Sequence, residues 1–178
     1  MGEQTIASRR VYDGALISLR VDEVRLTGGR VTSREVVEHP GAVGVLAWDG
    51  ARLAMVRQWR QAAGGELLEI PAGTIDAGEA PDATARRELA EECGLAADGW
   101  EQGPAFYTAP GFCTELLTLF LATGLRPHEA AAPDDEEIER SWLSMADALA
   151  AIDESRIIDA KSLTGILWLS RRIGDRRG

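Results

Sequence analysis

Three glutamates near the end of one helical segment are the residues best suited to chemistry in this sequence. They are Glu88, Glu91 and Glu92, and the run 81–92 in which they lie has helical composition. Residues four apart on an α-helix point about 40° from each other, so Glu88 and Glu92 share one face and Glu91 flanks it. Carboxylates grouped in this way are oxygen ligands for a hard cation such as Mg²⁺. The pattern therefore predicts a metal site on this helix.

The position of these carboxylates has an electrostatic cost. The negative end of the helix dipole disfavours each acidic side chain by a few tenths to about 1 kcal/mol. A solvated helix face with an internal Arg87–Glu91 ion pair is the alternative interpretation of the same pattern. The preceding turn favours metal binding, because Gly73, after Pro71 and Ala72, permits a tight backbone path. A main-chain carbonyl can then face the carboxylates as a further oxygen ligand.

The elements that must position this site follow from the hydrophobic pattern. Apolar residues alternate on both sides of the turn 27–30, which predicts a hairpin. A second hairpin is predicted from 41–48 and 52–58, because Asp49-Gly50 separates them. Further strands are predicted at 67–70, 106–108, 116–122 and 141–143, and helices at 81–92, 146–152 and 160–173. Hairpins without repeated strand-helix crossovers favour an α+β fold or an α/β/α sandwich around a mixed sheet.

Composition limits the kinds of partner. Twenty-nine acidic against 19 basic residues give a net charge of -10, which argues against long nucleic acids because their phosphates would be repelled. No stretch approaches the roughly 18 apolar residues of a membrane helix, so no membrane partner is expected. Cys93 and Cys113 have no paired spacing, which supports neither a zinc cluster nor a disulfide framework. We therefore predict a cytoplasmic protein. A small phosphorylated ligand is compatible with the negative charge, because a bound divalent cation can reverse the local charge.

The segment 73–95 resembles the Nudix hydrolase family. The box of that family reads G-x5-E-x7-R-E-U-x-E-E-x-G-U, with U a bulky aliphatic residue, and every fixed position is matched here. The resemblance implies an α+β fold, an α/β/α sandwich around a mixed sheet, with an additional N-terminal antiparallel β-sheet. It implies two parts, residues 1–40 as an N-terminal sheet that contributes to a homodimer, and residues 41–178 as the hydrolase domain.

The resemblance also implies roles for the residues of the box. The implied metal ligands, all oxygen donors, are Ala72, Glu88, Glu91 and Glu92. Glu91 and Glu92 are the implied catalytic residues of the box. The implied structural residues of the motif are Gly73, Glu79, Arg87 and Gly94, with Glu79 and Arg87 forming an ion pair between loop and helix. Mg²⁺ is the implied cofactor, with Mn²⁺ as an alternative.

Segments outside the box resemble the ADP-ribose pyrophosphatase and nucleotide-sugar diphosphatase branch of this family. They are residues 34–39, 57–60 and 68–73, and the loop 109–115 that contains Pro110. The resemblance implies substrate contacts from Arg34, Arg60 and Glu115. A guanidinium suits phosphate oxygens, but a surface charge or a cross-strand ion pair is the alternative role for either arginine.

An acidic run, 134–139, lies where this branch has a further glutamate in a loop. The resemblance implies Glu136 as a metal ligand or water-activating base, with Glu137 as the second choice. Acidic loops of this composition also serve only solvation.

The implied reaction is Mg²⁺-dependent hydrolysis of the diphosphate linkage of a nucleoside diphosphate derivative. ADP-ribose, cleaved to AMP and ribose 5-phosphate, is the leading substrate. Two alternatives stay open: hydrolysis of another nucleotide sugar or of a nucleoside polyphosphate, and a non-catalytic module that senses a nucleotide.

Overall fold

The computed structural model describes residues 2–129 and 137–175, which contain ten strands and three helices. The strands are β1 (Glu3–Asp13), β2 (Ser18–Leu26), β3 (Val31–Glu38), β4 (Ala42–Ala47), β5 (Arg52–Arg60), β6 (Gly65–Glu69), β7 (Ala72–Thr74), β8 (Leu95–Tyr107), β9 (Leu116–Pro127) and β10 (Ile138–Ser144). The helices are α1 (Pro81–Cys93), α2 (Met145–Asp153) and α3 (Ala160–Asp175).

These elements belong to two compact units. The first unit comprises the chain up to Gly41, and it also includes Phe106–Leu116 from much later in the sequence. The second unit comprises Ala42–Ala105 and the chain from Leu117 onward. The candidate metal-binding helix lies wholly in the second unit.

The first unit contains a three-stranded antiparallel sheet in the order β1-β2-β3. The predicted hairpin is confirmed: β2 and β3 pair from Ser18 opposite Glu38 to Arg25 opposite Val31. Gly29, with φ 82°, adopts the left-handed conformation that the turn between them requires. The sequence pattern missed β1, because every residue of this strand is exposed and the strand has no buried face to produce a clear alternation.

The second unit contains two sheets. One has the order β7-β4-β9-β8, with β4 parallel to β9 and antiparallel to β7, and the other has the order β10-β5-β6 and is antiparallel. The predicted mixed sheet of an α+β fold is therefore confirmed. All six residues of β4 are buried, as expected of a strand in the middle of a covered sheet.

The predicted hairpin between β4 and β5 is wrong. The turn itself forms: Asp49 Oδ1 accepts the N–H groups of Ala51 and Arg52 at 2.8 and 2.6 Å. The strands then separate after a single bridge between Trp48 and Leu53, and each pairs in a different sheet. An Asp-Gly pair specifies a chain reversal, but burial of apolar residues on both strands determines which neighbours they pair with.

The predicted helices are all present, with ends that differ by at most two residues. The strand predicted at 106–108 was too short, because β8 begins directly after α1 at Leu95. In the described part of the chain, no helix combines the length and the apolar character needed to cross a membrane.

Helix α1 connects the site to the core. It begins at Pro81, whose fixed φ suits a first helical position, and it ends at Gly94, which is left-handed with φ 63°. Leu89 on this helix is fully buried and joins a cluster with Val43 and Phe120 of the mixed sheet. Packing of this one face fixes the rotation of α1 and therefore the directions of its carboxylates.

We predict that Leu89→Ala destabilises the protein by about 2–5 kcal/mol, because the change removes a fully buried side chain and leaves a cavity. The free energy of unfolding from urea denaturation measures this loss. Leu167→Ala on α3 is the control, since Leu167 is 48% exposed, and its effect should stay within about 0.5 kcal/mol. Equal losses for the two variants would contradict the packing described for α1.

Candidate active site

Gly73 lies against the carboxylate of Glu88. Gly73 is in β7, opposite Val43 of β4, and a Cβ atom built at this glycine would lie 1.8 Å from Glu88 Oε1. A methyl group therefore cannot share this space with the carboxylate in its present position. The requirement for glycine comes from this close approach and not from an unusual backbone angle, since Gly73 is not among the residues with positive φ.

Glu92 contacts the same strand one residue earlier. The backbone N–H of Ala72 donates to Glu92 Oε2 at 2.9 Å, and Glu92 is only 2% exposed. Glu88 and Glu92, one helical turn apart, thus both point at the backbone of residues 72–73. The loop and the helix therefore lie together, and the group of Ala72 that contacts Glu92 is its N–H. The expected carbonyl ligand at this residue stays a prediction.

Arg87 is the cation at the centre of this group. Its guanidinium donates to Glu79 Oε2 at 3.1 Å, to Glu88 Oε1 at 2.7 Å and to Glu91 Oε2 at 3.0 Å. It also donates to the backbone carbonyl of Thr74 at 3.3 Å. The hydrogen bond with Glu79, followed by the nearby charge of Glu88, raises the pKa of Arg87, and the hydrogen bond from Arg87 lowers the pKa of Glu79.

The three carboxylates of α1 are therefore held in different ways. Glu88 and Glu91 accept from Arg87, and Glu92 accepts from Ala72. Among the described residues, no three His, Cys, Asp or Glu side chains are grouped closely enough to hold a metal ion by themselves. The donors nevertheless fit a hard divalent cation: they are oxygen atoms, two of them are on buried side chains, and Gly73 keeps the backbone close to them.

Arg140 is a residue of this site that the sequence did not reveal. Its Nε donates to the carbonyl of Glu92 at 2.6 Å, and its Nη2 donates to the carbonyl of Glu91 at 3.2 Å. The last turn of α1 has no basic residue of its own, so a cation from β10 satisfies the carbonyls at the negative end of the helix. The acidic helix end required a cation, but the sequence contained no signal for which strand would supply it.

Gly94 has a second requirement in addition to its left-handed backbone. A Cβ atom at this position would lie 2.9 Å from Nη1 of Arg140. The glycine that ends α1 therefore also leaves room for the guanidinium that caps the helix.

The implied substrate contacts lie in both units. In the first unit, Arg34 pairs with Glu3 on β1, and both side chains are more than two-fifths exposed. Glu115, also in the first unit, accepts a hydrogen bond from the Thr108 hydroxyl, and its Oε1 lies 3.8 Å from Nε2 of His39. In the second unit, Arg60 donates twice to Glu69 Oε2, at 3.0 and 2.6 Å.

Glu136, implied as a ligand or base, lies outside the described residues. Glu137, the second choice, is described and exposed. It lines a pocket on the antiparallel sheet together with Arg57, Trp59 and Glu139.

The two cysteines are free thiols. Burial raises the pKa of Cys93 to about 12, and the side chain belongs to the core cluster. Cys93 is therefore a packing residue.

Comparison with known proteins extends these observations. Residues 38–163 match the family model of the NUDIX domain. Residues 3–37 match a second model, described as the nucleoside diphosphate sugar hydrolase N-terminal domain. Together the two matches include all of the first unit's sheet and the whole box.

Individual relatives have similar lengths. An ADP-ribose pyrophosphatase of Bacillus subtilis is 40% identical over 170 residues, which cover 94% of this chain and 92% of the relative. A methanol dehydrogenase activator of Bacillus methanolicus is 39% identical, with the same coverage of 94% and 92%. The crystal structure of an ADP compounds hydrolase superposes with a TM-score of 0.88 over 99% of this chain and 96% of that one, at 17% identity. That similarity shows a common fold.

We predict that Gly73→Ala weakens divalent-metal binding with little loss of stability. The new methyl group displaces the Glu88 carboxylate, which is the end of a flexible side chain, so the fold adjusts at small cost. We expect Mn²⁺ affinity to fall on the order of tenfold or more, measured by calorimetric titration. Thermal unfolding of the metal-free protein should be nearly unchanged.

Gly65→Ala in β6 is the matched control, because a Cβ at Gly65 meets nothing within 4 Å. Equal Mn²⁺ affinities for wild type and Gly73→Ala would contradict the interpretation.

Proposed function

Since the chain belongs to the Nudix family, we propose that it is a metal-dependent pyrophosphohydrolase that cleaves ADP-ribose to AMP and ribose 5-phosphate. The observation that carries this proposal is the convergence of Glu88 and Glu92, both buried, on the backbone of residues 72–73. The ADP-ribose pyrophosphatase at 40% identity over almost the whole chain supports the choice of substrate.

The residues that would hold the cation are Glu88, Glu92 and the carbonyl of Ala72, with Glu91 binding a further cation or a water molecule. Mg²⁺ is the proposed ion, and Mn²⁺ should replace it. When bound, a divalent cation neutralises charge on the phosphate oxygens and lowers the pKa of a bound water.

The protein's own side chains prepare this reaction. The guanidinium of Arg87 donates to both Glu88 and Glu91 and so reduces the repulsion between the two carboxylates. The N–H of Ala72 orients the carboxylate of Glu92. With these groups fixed before substrate arrives, little reorganisation is needed during the reaction.

The chemical change is a hydrolysis at phosphorus. The oxygen of water bonds to one phosphorus as the bond from that phosphorus to the bridging oxygen breaks. The bridging oxygen leaves with the other phosphate, and the protons of water pass to the products and solvent. Glu91, and Glu136 in the acidic run, are the proposed groups that orient the water or accept its proton.

At the substrate, Arg60 and Arg34 are the proposed contacts to the diphosphate or ribose, because guanidinium groups match phosphate oxygens. Glu115 is the proposed acceptor for ribose hydroxyl groups. The bond from Thr108 and the nearby ring of His39 limit the orientations of this carboxylate.

We propose that the protein is a cytoplasmic homodimer assembled through the first unit. Strand β1 is exposed along its whole length, and Val11 and Tyr12 on it are about half exposed. Burying such residues against a second copy would remove apolar surface from water.

A substrate panel tests the proposed reaction. It contains ADP-ribose, ADP-glucose, GDP-mannose, diadenosine polyphosphates and nucleoside triphosphates, each with and without Mg²⁺, and the phosphate products are quantified. We expect Mg²⁺-dependent release of AMP from ADP-ribose. Preference for another compound would replace the substrate and keep the mechanism, whereas no cleavage of any compound would contradict the proposal.

A second candidate function is regulation of another enzyme, favoured by the relative named as a methanol dehydrogenase activator. A non-catalytic nucleotide sensor belongs to the same class. Nucleotide binding in a calorimetric titration, without cleavage of any compound of the panel, would indicate the non-catalytic sensor.

We predict that Glu92→Gln lowers turnover by orders of magnitude, because the change removes a charged oxygen ligand from the buried end of α1. The measurement is kcat for ADP-ribose at saturating Mg²⁺, together with the unfolding midpoint to establish that the fold is retained. Glu23→Gln on the exposed side of β2 is the control and should leave kcat unchanged. Wild-type turnover in Glu92→Gln would exclude the proposed metal site.

A further inference from the structure

A group of four charged side chains joins the ends of β5 and β6 to the start of α3. Glu69 Oε2 accepts from Arg60 at 3.0 and 2.6 Å and lies 3.1 Å from Nζ of Lys161. Lys161 Nζ lies 2.9 Å from Oδ1 of Asp159. Two carboxylates and two cationic side chains thus form one network. Of its four members, only Arg60 has a role in the proposed mechanism.

The members of this network are buried to very different degrees. The side chain of Glu69 is 2% exposed, and those of Asp159 and Lys161 are 12% and 13% exposed. The side chain of Arg60 is 35% exposed. The side chains of Glu69, Asp159 and Lys161 therefore form the buried part of the network. The side chain of Arg60 extends from this part toward solvent.

The buried part of the network is fixed to the backbone by hydrogen bonds. Asp159 Oδ1 accepts the N–H of Ser162 at 3.0 Å, and the hydroxyl of Ser162, which is fully buried, accepts the N–H of Ile70 at 2.8 Å. The start of α3 and the residue after Glu69 are thereby fixed to each other. Glu69 has little freedom to move, so its Oε2 is a fixed point for the guanidinium that binds it.

We infer that Glu69 is a positioning residue that holds the Arg60 guanidinium for the diphosphate group of the substrate. This inference rests on the proposed function and deepens it. Burying an unpaired carboxylate costs free energy. Glu69 is paired with two cations, Lys161 and Arg60, and the side chain of Arg60 reaches the surface. A guanidinium fixed before binding loses less entropy when it contacts phosphate oxygens.

The position of Glu69 in the chain supports the inference. Glu69 directly precedes Ile70 and Pro71, which lead to the backbone of Ala72 at the candidate metal site. Three residues span at most about 10 Å, so one short segment sets both the anchor of Arg60 and the backbone that faces Glu92. A diphosphate group at the metal site would thus be within reach of a cation whose place is set by the same segment.

The other implied arginine lacks such an anchor. Arg34 pairs with Glu3, and the two side chains are 42% and 41% exposed. Exposed pairs of this kind hold their side chains weakly. The structure therefore favours Arg60 over Arg34 as a prepositioned anion contact.

A double-mutant cycle tests the inference. The four proteins are wild type, Glu69→Gln, Arg60→Ala and the double variant, and the quantities measured are KM and kcat for ADP-ribose and the dissociation constant for ADP-ribose without metal. We expect Glu69→Gln to raise KM and the dissociation constant on the order of tenfold, with kcat changed by less than about threefold. In the Arg60→Ala background, the same substitution should change KM by less than about twofold.

An undiminished effect of Glu69→Gln in the Arg60→Ala background would overturn the inference, because Glu69 would then act without Arg60. Glu66→Gln, an exposed position on the same strand, is the matched control and should leave KM unchanged. If Glu69→Gln does not fold, the KM of Arg60→Lys is measured instead. This variant keeps the positive charge but loses the pair of hydrogen bonds from Nε and Nη2 to Glu69, and we expect its KM to rise. A wild-type KM for Arg60→Lys would overturn the inference.

The dissociation constants measured without metal separate this inference from the proposed function. If wild type binds ADP-ribose but cleaves no compound of the panel, hydrolysis fails as the function, and the cycle is evaluated on dissociation constants alone. If wild type neither cleaves nor binds ADP-ribose, both ideas fail.

Discussion

The contact of one guanidinium with three carboxylates is the interaction on which the rest of this structure depends. Arg87 donates to Glu79, Glu88 and Glu91. Without that positive charge, the carboxylates at the end of α1 would repel one another. The same side chain donates to the carbonyl of Thr74, so it also holds the helix against the end of β7. Arg87 thus reduces the repulsion among the carboxylates and holds α1 against β7. Two of its partners, Glu88 and Glu91, belong to the candidate metal site.

The surrounding elements offset the remaining cost of that acidic helix end. The apolar face of α1 packs through Leu89 into the mixed sheet, which brings Glu88 and Glu92 onto the buried side of the helix. Arg140 satisfies the carbonyls of the last turn from a strand that is distant in sequence. Stability alone would favour a basic residue at this helix end, and acidic residues there, compensated from outside, are typical of a functional site.

A protein with a net charge of -10 needs local positive charge to attract an anionic substrate. Two arginines of the structure are held at fixed points by acidic partners. Arg87 is surrounded by the box carboxylates, and Arg60 is bound to Glu69. These pairings limit the motion of each guanidinium, so acidic side chains orient both arginines.

The sequence by itself determined the family, the α+β class and the box, because short-range spacing on one helix and one turn is readable from residue order. It also determined the ends of α1, through Pro81 and Gly94. Tertiary structure alone decided that β4 and β5 pair in different sheets, since the turn between them specifies only a reversal. It alone decided that Arg140 caps α1 and that Glu69 anchors Arg60 together with Lys161. These contacts join residues that are distant in the chain, and their partners depend on how buried faces pack, which no local pattern encodes.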